Sequence, residues 1–326
     1  MRLSDIIGQE VAVKTLEHSI KKGKISHAYL FDGENGVGKE TTALSLVNHL
    51  LCESKSACGQ CPDCLKFERG NHPGFRLIDS DSTSIKIDQI RDLKEKAQFI
   101  NDHYMIWLIK DAHKMTLQAA NSFLKLLEEP GRMTVFILVT NNLRQILPTI
   151  RSRCQVISFS RLSDESVHQI LSSKVDIDSR PENTVNLIIK MSRGSIGKAL
   201  ELWDIPFLER RKWIIEQLIN IPSMRGPEIL GLSQKWIEDR SVVETDLELM
   251  LQWYRDLWCT KIDANEWIFN MDYQNELSGL SKKYPLASLE QITTLIMEMI
   301  VQLQRNVRVR FIMGYLLLQM RKGVLA

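Results

Sequence analysis

No charge of one sign dominates this chain. Across 326 residues, 42 Lys and Arg stand against 40 Asp and Glu, for a formal net charge of +2. That balance does not hold a nucleic acid by bulk electrostatics, so any DNA contact must be local or shared with partners. Long apolar runs are lacking too. The most apolar stretch, Phe311 to Met320, is bounded by Arg310 and Arg321 and is half the roughly 20 residues of a helical membrane span. The N-terminus, Met1-Arg2-Leu3-Ser4-Asp5, carries no apolar signal core. No membrane contact is expected, and the chain is placed in the cytoplasm. Long Gly/Ser/Pro linkers, internal repeats and low-complexity segments are likewise missing.

What remains is a globular mixture, 44% hydrophobic and 25% charged, which excludes a long disordered or collagen-like chain. At roughly 150 residues per domain, the length suggests two or three domains. The first half alternates short apolar runs with helical patterns. The runs are Ala28 to Phe31, Phe75 to Asp79, Tyr104 to Ile109, Val135 to Thr140 and Gln155 to Phe159. Runs of this kind suit strands buried on both faces. The clearest helix follows Thr116, a candidate N-cap, with Leu117, Ala120, Leu124 and Leu127 at helical spacing and Pro130-Gly131 as the stop. Strands alternating with helices predict a parallel α/β sheet. After about Arg161 the strand signals end, Ser163-Asp164-Glu165 opens a helix, and the remainder reads as all-α. Six of the seven tryptophans lie beyond residue 200, as helix-packing core. The expected domains are therefore 1–162, 163–207 and 208–326, the last boundary falling just after the helix breaker Pro206. Ile292 to Met320, with Arg305, Arg308 and Arg310 interspersed, reads as a buried helix pair or a subunit interface.

Gly33-Glu34-Asn35-Gly36-Val37-Gly38-Lys39 follows the first strand and precedes a helix, the context of a phosphate-binding loop. Gly33, Gly36 and Gly38 let backbone N–H groups turn inward, and Lys39 would reach the β/γ-phosphates. The next residue breaks the pattern. A Ser or Thr hydroxyl there ligates Mg²⁺, but this chain has Glu40. Like charges about 4 Å apart cost roughly 4 kcal/mol at an effective dielectric near 20. Thr41 does not replace the hydroxyl, because one helical residue turns a side chain by about 100°. The run ending at Ile109 should finish in an acidic pair that holds Mg²⁺ and polarises water. Instead Lys110 takes the metal position and Asp111 the base position. A protonated lysine cannot ligate Mg²⁺, though it can neutralise Glu40. ATP or ADP binding through Lys39 and the loop amides stays open, while hydrolysis is not expected.

Four of the six cysteines fall within thirteen residues, at Cys52, Cys58, Cys61 and Cys64. In an intracellular chain this clustering points to metal. Four thiolates on tight Cys-x2-Cys turns satisfy tetrahedral zinc with no open position, as in a structural site. A redox Cys-x-x-Cys would need no third and fourth cysteine. His49 and His72 lie nearby and are read as ordinary histidines. Cys154 and Cys259 are isolated and read as buried thiols. Ahead of the fifth strand stands Arg151-Ser152-Arg153-Cys154. Its arginines suit a solvated loop, or one suits a finger that reaches a neighbouring subunit's γ-phosphate.

Several segments together resemble the AAA+ clamp-loader family of bacterial DNA polymerase III. They are Ile7-Gly8-Gln9-Glu10, His27-Ala28-Tyr29-Leu30-Phe31, the phosphate loop, the four-cysteine insertion, Leu124-Lys125-Leu126-Leu127-Glu128-Glu129-Pro130 and Ser152-Arg153-Cys154. The likeness runs to about residue 205; beyond it only size and helical pattern agree. It implies an AAA+ α/β domain with a zinc module, a helical lid and a helical collar that assembles a ring. It also implies gamma/tau-type motor subunits and a delta subunit as partners, with the sliding clamp and primer–template DNA reached through the assembly. Members with lost active-site residues act as stators and lend the Ser-Arg-Cys arginine, here Arg153, to a motor. In Gly194-Ser195-Ile196-Gly197-Lys198-Ala199, Gly197 stands where motors carry an ATP-contacting arginine, a third loss beside Glu40 and Lys110. Thr140 and Asn141 match a sensor position. The leading expectation is thus a non-hydrolysing subunit. Its alternatives are an ATP-hydrolysing motor of the same ring and a monomeric zinc-bearing nucleic-acid-binding protein.

Overall fold

The structure, a computed structural model, describes residues 2–79, 84–90, 104–204, 207–236, 239–305 and 307–324. Pro206, on which the softer domain boundary rests, lies outside the described residues. The chain forms two compact units, Met1–Leu202 and Trp203–Ala326.

The first unit is built on five strands: β1 (Ala28–Asp32), β2 (Phe75–Ile78), β3 (Met105–Ile109), β4 (Thr134–Thr140) and β5 (Gln155–Ser158). They lie in the order β2-β3-β4-β1-β5, and every pairing is parallel. All five apolar runs of the sequence are therefore strands. Every residue of β4 is buried, which explains its unbroken Thr-Val-Phe-Ile-Leu-Val-Thr run: helices cover both faces of a parallel sheet. Alternate residues serve the two faces. Tyr29, Phe31, Ile106, Leu108, Val135, Ile137 and Val139 join one core. This core takes in Ala12, Val13 and Leu16 of α1 (Glu10–Lys21) and Ala43, Leu46 and Val47 of α2 (Lys39–Leu51). Ala28, Leu30, Trp107, Ile109, Phe136 and Leu138 join the other core.

The short α3 (Pro62–Glu68) lies in the cysteine insertion. Helix α4 (Leu117–Glu128) buries Ala119, Ala120, Phe123, Leu126 and Leu127 on the second face, and its Thr116 side chain accepts from Ala119 N at the N-cap. One turn, α5 (Pro148–Arg151), leads into β5. Helices α6 (Asp164–Ser172), α7 (Glu182–Ser192) and α8 (Ile196–Asp204) follow, α6 capped by Ser163 accepting from Ser166 N.

The second unit has α9 (Phe207–Asn220), α10 (Gly226–Ser233), α11 (Arg240–Lys261), α12 (Gln274–Ser281), α13 (Leu286–Gln304) and α14 (Val309–Val324). Among its described residues there is no strand. Trp236 and Trp253 are buried, as expected of core. Trp258 and Trp267 are not, at 43% and 60% exposure. Trp258 sits five residues beyond inward-facing Trp253 on α11, and five residues of helix rotate a side chain by about 140°. Trp267 lies on a short 3-10 turn and donates from Nε1 to Glu266.

The C-terminal pair buries Leu289, Ile292, Ile296 and Leu303 from α13 and Ile312, Met313, Leu316, Leu317 and Met320 from α14, while Met297, Val301, Phe311 and Tyr315 face outward. Among the described residues, Leu286–Leu303 is long and apolar enough to cross a membrane by length and composition alone, at a mean hydropathy of 1.2. A helix that buries one face in a helical core passes the same test.

Candidate functional site: a phosphate loop and a cysteine cluster on one helix

Helix α2 carries a motif at each end. At its N-terminus, Gly38 is the cap residue in a left-handed conformation, φ 101°, which glycine adopts without strain. Lys39 is 95% buried, with its ammonium turned back onto its own loop: Nζ donates to the carbonyls of Gly33 at 2.7 Å and Glu34 at 2.5 Å. Burial pushes its pKa below the ordinary lysine value, and Asp32, Glu40, Asp111 and Glu34 oppose that shift. The loop is strapped from below by Gln9. Its Nε2 donates to Val37 O at 3.0 Å and Ser160 O at 2.7 Å, and its Oε1 accepts from Ser160 N at 3.2 Å. Glu34 pairs with Arg161.

Glu40 and Lys110 pair with each other, as their opposite charges allow. Lys110 Nζ lies 2.8 Å from Glu40 Oε2 and 3.5 Å from Asp79 Oδ2. The hydrogen bond to Glu40 is the main cause that raises the Lys110 pKa above the ordinary lysine value. A divalent cation would compete with this ammonium for the same carboxylates. Asp111, in the base position, is bonded to Lys114 Nζ at 2.7 Å. Thr140 is buried, 3.2 Å from His113 Nδ1, and accepts from Asn142 N.

The start of α8 closes over the loop. Ser195 Oγ donates to Asn35 O at 2.8 Å, and Gly197 N donates to Gly36 O at 3.3 Å. The backbones are so close that a Cβ on Gly36 would stand 2.2 Å from Ser195 Oγ and 2.8 Å from Gly197 N. A Cβ on Gly197 would meet Gly36 Cα at 3.0 Å. Position 197 therefore sits against the loop itself, with little room for a side chain.

At the other end of α2, Cys52 is the C-cap. The Sγ atoms of Cys52, Cys58, Cys61 and Cys64 all lie within 4.8 Å of one another. Cys52–Cys58 is 3.7 Å, Cys52–Cys61 is 3.9 Å and Cys58–Cys64 is 4.0 Å. Four sulfurs bound tetrahedrally at about 2.3 Å stand about 3.8 Å apart, so the set fits zinc. The cysteines are free thiols rather than disulfides. Backbone amides of Cys58, Cys61 and Cys64 point at the sulfurs of Cys52, Cys58 and Cys61, at 3.5, 3.4 and 3.4 Å. Such donors favour thiolate.

Four adjacent thiols cannot all ionise without a cation between them. Burial opposes ionisation at Cys52, yet hydrogen bonds from Ser54 and from the Cys58 and Ser56 amides take it down to about 5. Cys64 is pushed up to about 12, chiefly by burial. His72 is not a fifth ligand: its Nδ1 accepts from Gly74 N at 3.0 Å, and its Nε2 lies 3.5 Å from Asp63.

Arg153 sits on the surface before β5, its side chain 38% exposed. Its Nη2 donates to Glu128 Oε1 at 2.9 Å, and its Nη1 faces Thr149 O at 3.1 Å and Ser152 Oγ at 3.5 Å. Neighbouring Cys154 is a thiol whose pKa burial pushes up to about 12. Sequence reasoning assigned no role to Gln9, Asp79, Glu128 or Ser195. Gln9 and Glu128 stood within recognisable segments, but nothing local marks any of the four as a partner of a residue so far along the chain.

A parallel sheet with β4 between β1 and β3, a glycine loop after β1 and a helix closing on that loop define an AAA+ domain, followed here by a helical unit. Two family models agree in detail: one for the DNA polymerase III delta subunit matches residues 8–163, and one for its C-terminal region matches residues 206–322. The chain is 31% identical to the DNA polymerase III subunit delta' of Bacillus subtilis, over 97% of each chain. To the subunit tau of the same organism it is 32% identical, over 77% of this chain and 46% of that one. The chain belongs to the DNA polymerase III delta' family of clamp-loader subunits in DNA replication.

Proposed function

We propose that this chain is a non-hydrolysing subunit of the sliding-clamp loader and lends Arg153 to the ATP site of a neighbouring motor subunit. The observation that carries this reading is the cluster Glu40–Lys110–Asp79, in which an ammonium stands where a hydrolysing site needs a metal. The packing of Gly197 on Gly36 supports it, since the loop is covered by the chain itself. Arg153 keeps a guanidinium at the surface, where a neighbour's γ-phosphate can meet it and where positive charge stabilises phosphoryl transfer. The neighbours are motor subunits of gamma/tau type and a delta subunit, in a cytoplasmic ring that reaches the clamp and primer–template DNA. Residues 163–207 act as the lid and 208–326 as the collar. The four cysteines hold a structural zinc ion.

Steady-state ATP hydrolysis with Mg²⁺ and primed DNA tests this reading. The isolated chain is expected to match its Lys39→Ala variant at background. The loader assembled with Arg153→Ala is expected to lose at least tenfold in turnover while still assembling. Turnover by the isolated chain that vanishes in Lys39→Ala would replace this reading with that of a motor subunit. Full activity of the Arg153→Ala loader would remove the arginine's role.

A further inference from the structure

We infer that Glu128 is the positioning residue for Arg153, fixing the guanidinium in the orientation it presents to the neighbour's phosphate. This rests on the reading that Arg153 is lent in trans. Glu128 closes α4, the final residue before the helix gives way to Glu129 and Pro130. A helix C-terminus carries partial negative charge, which favours cations and disfavours a carboxylate. Nothing in helix formation therefore accounts for an acidic residue at this place. The contact with Arg153 does: Glu128 Oε1 accepts from Nη2 at 2.9 Å, across 25 residues of chain.

The donor count supports a holding role. A guanidinium has five N–H groups. Glu128, Thr149 O and Ser152 Oγ take three of them. Two remain, the number a bidentate phosphate contact uses. Thr149 and Ser152 lie on the turn that carries Arg153 and move with it. Glu128 belongs to another element, so it alone of the three ties the side chain to the sheet-packed body of the domain. Both groups are substantially exposed, 38% for Arg153 and 51% for Glu128. An exposed pair of this kind is weak and exchangeable, so the expected effect is about two- to fivefold.

The test is ATP hydrolysis by the assembled loader, with kcat and KM determined separately. Arg153→Ala sets the scale. Glu128→Ala is expected to lower kcat two- to fivefold with KM unchanged. Glu128→Gln, which keeps an acceptor oxygen, is expected to recover most of the loss. Combining Glu128→Ala with Arg153→Ala should cost no more than Arg153→Ala alone. Glu129→Ala makes the same charge change one residue away and should match the unmodified loader. If Arg153→Ala lowers kcat and Glu128→Ala does not, the positioning role falls and the lent arginine stands. If Arg153→Ala itself has no effect, the underlying reading falls. A Glu128→Ala loss equalled by Glu129→Ala, or appearing as weakened assembly or a raised KM, would also overturn the positioning role.

Discussion

The two ends of helix α2 hold motifs with different fates. At the N-terminus the glycine loop has the backbone of a phosphate site, but its charges are met internally: Lys39 by loop carbonyls, Lys110 by Glu40 and Asp79. At the C-terminus four sulfurs converge at spacings near 4 Å with amide donors around them. One end is a four-sulfur donor set whose spacing fits a metal, and the other is a glycine loop covered by its own chain. The loop's shape depends on glycine conformations, which survive loss of the chemistry. A metal site depends on every ligand, so a complete ligand set is the stronger sign of retained function.

Three experiments bear on the contrast between the two ends of α2. The largest effect should come from the cysteine end. The purified chain should hold one zinc per molecule, and Cys61→Ser should abolish it and cost on the order of 3 kcal/mol or more in denaturant unfolding, because binding energy at a structural site is folding energy. Zinc absent from the chain and unfolding unaltered by Cys61→Ser would reverse the contrast.

Next in size is Gly36→Ala. Its φ of 74° and a Cβ 2.2 Å from Ser195 Oγ predict a loss of about 1–3 kcal/mol by thermal melting. Unchanged melting would mean that α8 is not seated on the loop.

The smallest effect is expected from Lys110→Ala, at about 0.5–1 kcal/mol, since the ion pair is partly exposed. Glu40 holds the Lys110 pKa above its ordinary 10.5. The ammonium's contribution is thus complete below that value and is lost as pH rises through the raised one. The gap between unmodified chain and Lys110→Ala should close at strongly alkaline pH and persist at neutral pH. A Lys110→Ala chain as stable as the original at neutral pH would show that the carboxylates need no internal cation.

Much of this protein was legible without coordinates, and the reason is locality. The five apolar runs became five strands because a parallel strand covered on both faces must be apolar at nearly every position. Thr116 and Ser163 became N-caps because a cap is settled within three residues. The cysteines converged through local turns, the amides of Cys58, Cys61 and Cys64 each reaching the sulfur of the preceding cysteine. The Glu40–Lys110 pair was legible for the same reason: each residue has a place beside a strand or a glycine, and their charges are opposite. The two exposed tryptophans show the limit, since composition alone does not say which way a helical side chain faces.

Encounters between distant segments had to wait for the folded chain. Asp79 meets Lys110, Glu128 meets Arg153, Gln9 meets Ser160 and Gly36 meets Gly197, across separations of 25 to 161 residues. No pattern of propensity or periodicity encodes such pairs. They follow from strand order, from where each helix lands on the sheet and from the backbone spacing that results. The fold class, the four-cysteine set and the opposite charges of Glu40 and Lys110 are all local matters, readable from the chain alone. Tertiary packing decided that Asp79 joins the Glu40–Lys110 pair, that Glu128 bonds the exposed arginine, and how closely the chain covers its own phosphate loop, because each depends on where distant elements land on the sheet.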